Sequence, residues 1–309
     1  MGIMVGLPSP SGSEKDLQLN FGKNMTVQVE MRAPHLPAEW HLQSGIQLTW
    51  PHAGTDWAYM LTEVQECFVN IAKEIAKREL LLIVTPEPEE VRKQIASTVN
   101  MDNVRFLRCE TNDTWARDHA FITMLKENGE PLLLDFCFNG WGMKYAANYD
   151  NMINSNLYYR CKTLTGEYVY QRNFILEGGS IESDGKGTLL TTEKCLLSYN
   201  RNEKTKEETE QYLKETFNLK QVLWLKHGYL AGDDTDSHID TLARFCPDDT
   251  IVYVQCTDKK DEHYEELVAM EEELKNAKII VADPLYRPIC PKNSSFYEHP
   301  HVAFSGRIY

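Results

Sequence analysis

The chain has 309 residues and carries 32 basic against 46 acidic side chains, a formal charge of −14. Hydrophobic residues make 42% and charged residues 25% of it, a composition that excludes collagen, coiled coil and global disorder. No apolar run reaches the ~20 residues of a bilayer span, and neither a basic excess nor a basic stripe marks a nucleic-acid binder; no membrane and no nucleic acid is expected as partner.

Residues 1–32, rich in Gly, Ser, Pro and Asn without a sustained period, read as a flexible leader, with Met25 or Met31 as alternative starts. The basic and apolar regions of a secretory signal are missing, and Gly6 stands where N-myristoylation needs Ser or Thr. A cytoplasmic location is expected. Residues 33–309 form the second region, with order beginning near Pro37-Ala38-Glu39-Trp40.

Residues 45–50 predict a short strand. Over residues 56–78 the apolar positions Trp57, Met60, Leu61, Val64, Phe68, Ile71 and Ile75 step by three and four, which predicts an amphipathic helix. Residues 80–84 are apolar throughout and bounded by Pro86 and Pro88, the pattern of a buried strand. A short helix at 89–98, a strand at 104–108 and a helix at 148–163 follow. Two charged helices, 204–217 and 262–276, lead into apolar strands at 221–225 and 279–282, with Val222 and Ile280 standing 58 residues apart. Strands interleaved with helices predict the α/β class, and the recurrence predicts modules around a centre.

The eight cysteines, at 67, 109, 137, 161, 195, 246, 256 and 290, form no CxxC pair. Most of them read as reduced, buried small hydrophobes rather than as a zinc site or a disulfide framework.

Three segments hold polar residues that packing would not select: Glu110 to His119, Leu176-Glu177-Gly178-Gly179-Ser180, and Asp233 to Asp240. Taken singly, each has a plain alternative. Asn112-Asp113-Thr114 suits a turn or helix cap, Gly178-Gly179 suits a tight turn beside a solvated Glu177, and His238 suits a structural histidine. The four carboxylates among residues 233–240 suggest a metal loop, but the Gly and Glu of an EF-hand are absent. Together, Asp118, Glu177 and Asp240 supply negative charge, and His238 the side-chain type that exchanges protons near neutrality. On a strand, His238 and Asp240 would share a face. Several carboxylates with one imidazole suit a planar cation such as a guanidinium, whose forked N–H donors match paired carboxylates.

Several stretches closely resemble the agmatine deiminase and bacterial-type peptidyl-arginine deiminase family of the guanidine-modifying, or pentein, superfamily. They are Pro37-Ala38-Glu39-Trp40, Trp50-Pro51-His52, Asn112 to Asp118, Phe138-Asn139-Gly140-Trp141-Gly142, Leu176 to Ser180, Asn200-Arg201-Asn202 and Asp234 to Asp240, in family order. The resemblance implies a pentein α/β propeller of five ββαβ modules with a central site. It implies that Asp118 and Asp240 clamp the guanidinium, His238 shuttles protons, Glu177 binds the guanidinium side and Trp115 lines the slot. Asp113 and Trp115 are the candidates to meet the far ammonium of agmatine. No metal and no organic cofactor is implied, and the partner is a small cationic guanidinium substrate, with a homo-oligomer left open.

The family nucleophile is a cysteine in a Gly-Gly-Gly-x-x-His-Cys segment near the C-terminus, and this sequence holds no such segment. The expectation is an agmatine deiminase-like hydrolase whose last module is incomplete and which is inactive as given. Agmatine and water would yield N-carbamoylputrescine and ammonia, in putrescine biosynthesis. A protein-arginine deiminase and a non-catalytic guanidinium-binding fragment are the alternatives. A metal hydrolase built on His238, Asp240 and Asp236 ranks below them, because ligand histidines at helical spacing are absent.

Overall fold

A stretch that is apolar at every position satisfies both of its faces only inside a covered sheet, and Leu80–Thr85 (β3) takes that place. In a computed structural model, which describes residues 2–4, 34–161, 164–247 and 250–275, β3 lies between the parallel strands β2 (Gly45–Thr49) and β4 (Val104–Arg108). Gly2–Met4 forms β1, antiparallel to β2, and completes the order β1-β2-β3-β4. The free edge of β2 offers unpaired N–H and C=O groups, and β1, from within the expected leader, satisfies them.

The stripe expected over 56–78 divides into a 3-10 turn, Asp56–Met60, and a helix α1 (Leu61–Ala76). With α2 (Pro88–Ile95), α1 covers one face of this sheet, burying Ala72, Ile75, Val91 and Ile95 against Ile46, Leu48, Leu81 and Ile83. Trp50 is buried in the same layer, edge-on to Phe68 at 5.7 Å.

The rest of the described chain repeats one motif, an antiparallel hairpin followed by a helix and, twice, by a parallel strand. β5 (Ile122–Leu125) and β6 (Pro131–Cys137) form a hairpin, and α4 (Ile153–Arg160) leads to β7 (Glu167–Ile175) beside β6. The pair β8 (Ile181–Ser183) and β9 (Thr188–Thr192) is followed by a one-turn helix α5 (Glu193–Leu196), α6 (Lys206–Phe217) and the parallel β10 (Gln221–Leu225). β11 (Ala243–Cys246) and β12 (Thr250–Tyr253) pair in the same way before α7 (Tyr264–Lys275). Local chemistry sets these boundaries: Thr205 and Glu208 close a capping box on α6, and Asn218 ends it in the left-handed conformation, φ 54°.

Each sheet shares a core with the next. Leu82, Val84 and Leu107 meet Phe121, Leu133 and Leu157 between the first and second. Phe136, Phe174, Leu189 and Phe217 join the second to the third, and Leu190, Leu225, Ile239 and Leu267 the third to the fourth. The chain is thus α/β with mixed sheets packed in series. The strand expected at 279–282, and with it the recurrence at Ile280, lies outside the described residues, as does Cys290. No helix among the described residues is long and apolar enough to cross a membrane.

Candidate active site

In each hairpin unit, the segment just before the first strand carries the chemistry. The first such segment is locked from below by Asp150, whose Oδ1 accepts the Asn112 N–H at 2.7 Å and whose Oδ2 accepts the Asp113 N–H at 3.0 Å. Asn112 answers by accepting the backbone N–H groups of Tyr149 and Asp150. Burial pushes the Asp150 carboxyl up to about 7, against those two N–H bonds. Beyond this lock a single helical turn, α3 (Ala116–His119), carries Asp118 into the interior.

Asp118 is buried and both of its oxygens are used: Oδ1 accepts the Gly179 N–H at 2.9 Å and Oδ2 accepts Trp141 Nε1–H at 3.0 Å. His238 Nδ1 stands 3.6 Å from Asp118 Oδ1 and 4.0 Å from Asp240 Oδ1. Gly179 forms the floor between them. A β-carbon there would lie 2.7 Å from Asp118 Oδ1, from Asp240 Oδ2 and from His238 Nδ1, so only glycine lets the three groups close around one point. Gly178 is equally constrained, since a β-carbon would meet the Arg117 carbonyl oxygen at 2.1 Å.

His238 and Asp240 do converge, but not by strand alternation. Ile239–Thr241 is a 3-10 turn, and the chain enters it through Asp236 and Ser237 at φ of 66° and 64°. The strand expectation failed because left-handed residues at two consecutive positions redirect the chain before β11 begins. Burial pushes the Asp240 carboxyl up; His238 opposes that shift, Asp118 reinforces it, and Arg117 and Arg244 oppose it again. Those two arginines share Glu39 as an ion-pair partner.

Glu177 departs from the expected role. Its fully buried carboxylate accepts from Arg201 Nε with both oxygens at 3.0 Å. In this structure it therefore serves a protein guanidinium instead of presenting free oxygens to a ligand. One carboxylate oxygen of Glu177, one His238 ring nitrogen and Cys195 Sγ lie within 4.8 Å of one another. The donor set suits a metal badly: Arg201 already occupies Glu177, and burial pushes the Cys195 thiol well up, away from the thiolate a metal requires.

Trp115 is half exposed at the mouth, with its Nε1–H held by Asp113 Oδ2 at 3.1 Å. Its ring centroid lies 6.3 Å from Trp57 and 6.4 Å from Trp141, and Tyr145 extends the aromatic wall 5.7 Å beyond Trp141. Asp113 also accepts the Thr114 N–H, so it caps its own turn as the plain alternative had it, and burial raises its pKa.

Three residues of this site had no role in the sequence reading. Gly179, Trp141 and Arg201 each lie within a motif that carried the resemblance, yet spacing alone gives no reason for a floor, an indole donor or a buried counter-ion. Trp141 sits in a left-handed run, with φ positive at Gly140, Trp141, Gly142 and Met143. The two Asn-Gly and Gly-x-Gly dipeptide signals of such a run are visible at 139–142.

A buried Asp118, a partly exposed Asp240 and the buried imidazole of His238 converge on a glycine floor within a mixed α/β scaffold. The chain belongs to the Porphyromonas-type peptidyl-arginine deiminase family, whose model matches residues 35–286. A Legionella pneumophila protein provisionally named an agmatine deiminase is 31% identical over 259 residues, covering 82% of this chain and 72% of its own length. The structure of a cysteine-to-serine variant of C. jejuni agmatine deiminase with substrate bound is 36% identical, with a TM-score of 0.74 over 90% of this chain and 76% of that one. A structure provisionally named as the arginine deiminase of Porphyromonas gingivalis is 46% identical, with a TM-score of 0.70 over 79% of this chain and 72% of that one.

Proposed function

We propose that this chain is an agmatine deiminase-like hydrolase of guanidino C–N bonds, acting in the cytoplasm in putrescine biosynthesis. The observation that carries the reading is the closure of Asp118, Asp240 and His238 around Gly179. Two carboxylates set on either side of a planar cation accept its N–H donors in charge-assisted bonds and fix the plane of the guanidinium carbon. His238, between them, is placed to protonate departing ammonia and to take a proton from the incoming water. Overall, agmatine and water become N-carbamoylputrescine and ammonia, with no cofactor and no metal.

Attack on the guanidinium carbon requires a nucleophile, which the family resemblance assigns to a thiolate in a glycine-rich segment that this sequence lacks. Isothermal calorimetry with agmatine should give a binding isotherm that Asp118→Asn and Asp240→Asn each weaken by about 10- to 100-fold, the worth of a charge-assisted hydrogen bond. Unchanged binding in both variants would refute the clamp.

The repeated hairpin–helix–strand unit, with Asp118, Glu177 and Asp240 each three or four residues before the first strand of a unit, supports the five-module pentein propeller as the finer architecture. A second substrate reading, arginine within a peptide, is favoured by the half-exposed Trp115 at the mouth. Tighter binding of a blocked arginyl peptide than of agmatine would promote it. The acidic excess favours agmatine, a dication, at long range.

A further inference from the structure

Arg201 is buried and uses its whole guanidinium inside the protein. Nε spans both oxygens of Glu177. Nη1 donates to Asp236 Oδ2 at 2.7 Å and to Ser198 Oγ at 2.8 Å, and Nη2 donates to the Thr235 carbonyl at 2.9 Å. Thr235 and Asp236 are the entry to the left-handed bend that delivers His238. The bend is pinned from other sides as well: Asp233 accepts the Thr235 and Ser237 N–H groups, Thr192 donates to the Ser237 carbonyl, and Lys144 pairs with Asp236. Burial alone would raise the Asp236 carboxyl, but hydrogen bonds from Lys144 and Arg201 hold it low.

The surroundings of the imidazole are dry. His238 is 1% exposed, its Nε2 has no hydrogen-bond partner among the described residues, and a Glu177 oxygen stands within 4.8 Å of one of its ring nitrogens. A bare carboxylate at that distance in a buried setting would draw a proton onto the ring and hold it there. The groups near the His238 ring are Asp118, Asp240, Glu177 and Cys195. Arg201 supplies the positive charge that faces Glu177.

From this geometry we propose that Arg201 is a positioning residue for His238, holding the bend that aims the imidazole and neutralising Glu177 so that the ring exchanges protons only toward the Asp118–Asp240 clamp. The proposal rests on the functional reading above for its purpose, but its test needs no substrate. The ring signals of His238, identified by their loss in His238→Asn, can be followed by NMR against pH in the ligand-free chain. In Arg201→Met the pH at which they move should rise by about one unit or more relative to wild type. Arg201→Lys, which restores the charge without the fork, should return most of that shift. Glu177→Gln combined with Arg201→Met should abolish it. If Arg201→Met does not fold, Glu177→Gln alone must lower that pH, since Arg201 then stands unopposed. An unmoved midpoint in the folded Arg201→Met protein, or in Glu177→Gln, would overturn the proposal. Failure of the wild-type chain to bind agmatine would count against the functional reading instead.

Discussion

Gly179→Ala tests the geometry of the site most directly. The added methyl carbon would sit 2.7 Å from three polar atoms at once, Asp118 Oδ1, Asp240 Oδ2 and His238 Nδ1, whereas ordinary contact begins near 3.4 Å. Each group would have to retreat by about 0.7 Å, the difference between those two distances. Two of them cannot retreat freely. Asp118 is held by Trp141 and by the Gly179 N–H itself, and His238 is packed with 1% exposure. Overpacking of this kind costs about 1–3 kcal/mol of stability, which a folded protein of this size tolerates. Displacing a binding constellation by much of an ångström costs on the order of 100-fold in its function, or about 2.7 kcal/mol. Calorimetric titration with agmatine, beside a thermal melt of the same sample, separates the two effects. The expected result is a cooperative melt at a modestly lower temperature with affinity reduced about 100-fold. Affinity within threefold of wild type would show that the three groups do not act on one ligand, and the reasoning would fail.

Trp141→Phe should keep the packing against Phe138 and Tyr145 while removing the N–H that Asp118 Oδ2 accepts. Agmatine affinity should fall about 3- to 10-fold, with little change in the melt; an unchanged affinity would mean that the indole does not orient the carboxylate. Asp150 titrates near 7 when folded against a usual 3.8, so the native state binds the extra proton between those values. Stability should therefore fall as pH rises from about 4 to about 7, by on the order of 2–4 kcal/mol from this group alone. Urea melts across that window should show a flatter pH dependence in Asp150→Asn, and an identical slope would contradict the assignment. Trp115→Ala should weaken agmatine more than it weakens bare guanidinium, on the proposal that the half-exposed ring lines the slot for the rest of agmatine. Equal losses on the two ligands would place Trp115 outside the substrate slot.

The local elements were legible because their causes are local. The three- and four-residue steps from Trp57 to Ile75, the unbroken apolar run of β3 and the Thr205–Glu208 capping box each act within a few residues, and the chain folds there much as its pattern dictates. The polar segments around Asp118, Glu177 and His238 also stood out in the sequence, since no packing requirement explains carboxylates beside glycines at strand ends. Their partners were decided only by tertiary structure. Nothing in the order of residues says that Glu177 faces Arg201, 24 residues later, instead of a ligand. Nor does it say that Trp141 donates to Asp118, or that His238 and Asp240 meet through a left-handed bend and a turn instead of along a strand. Local propensity acts over one or two turns of chain, whereas a buried charge takes whichever counter-charge the packing of the sheets brings within about 3 Å, because leaving it unpaired there costs several kcal/mol.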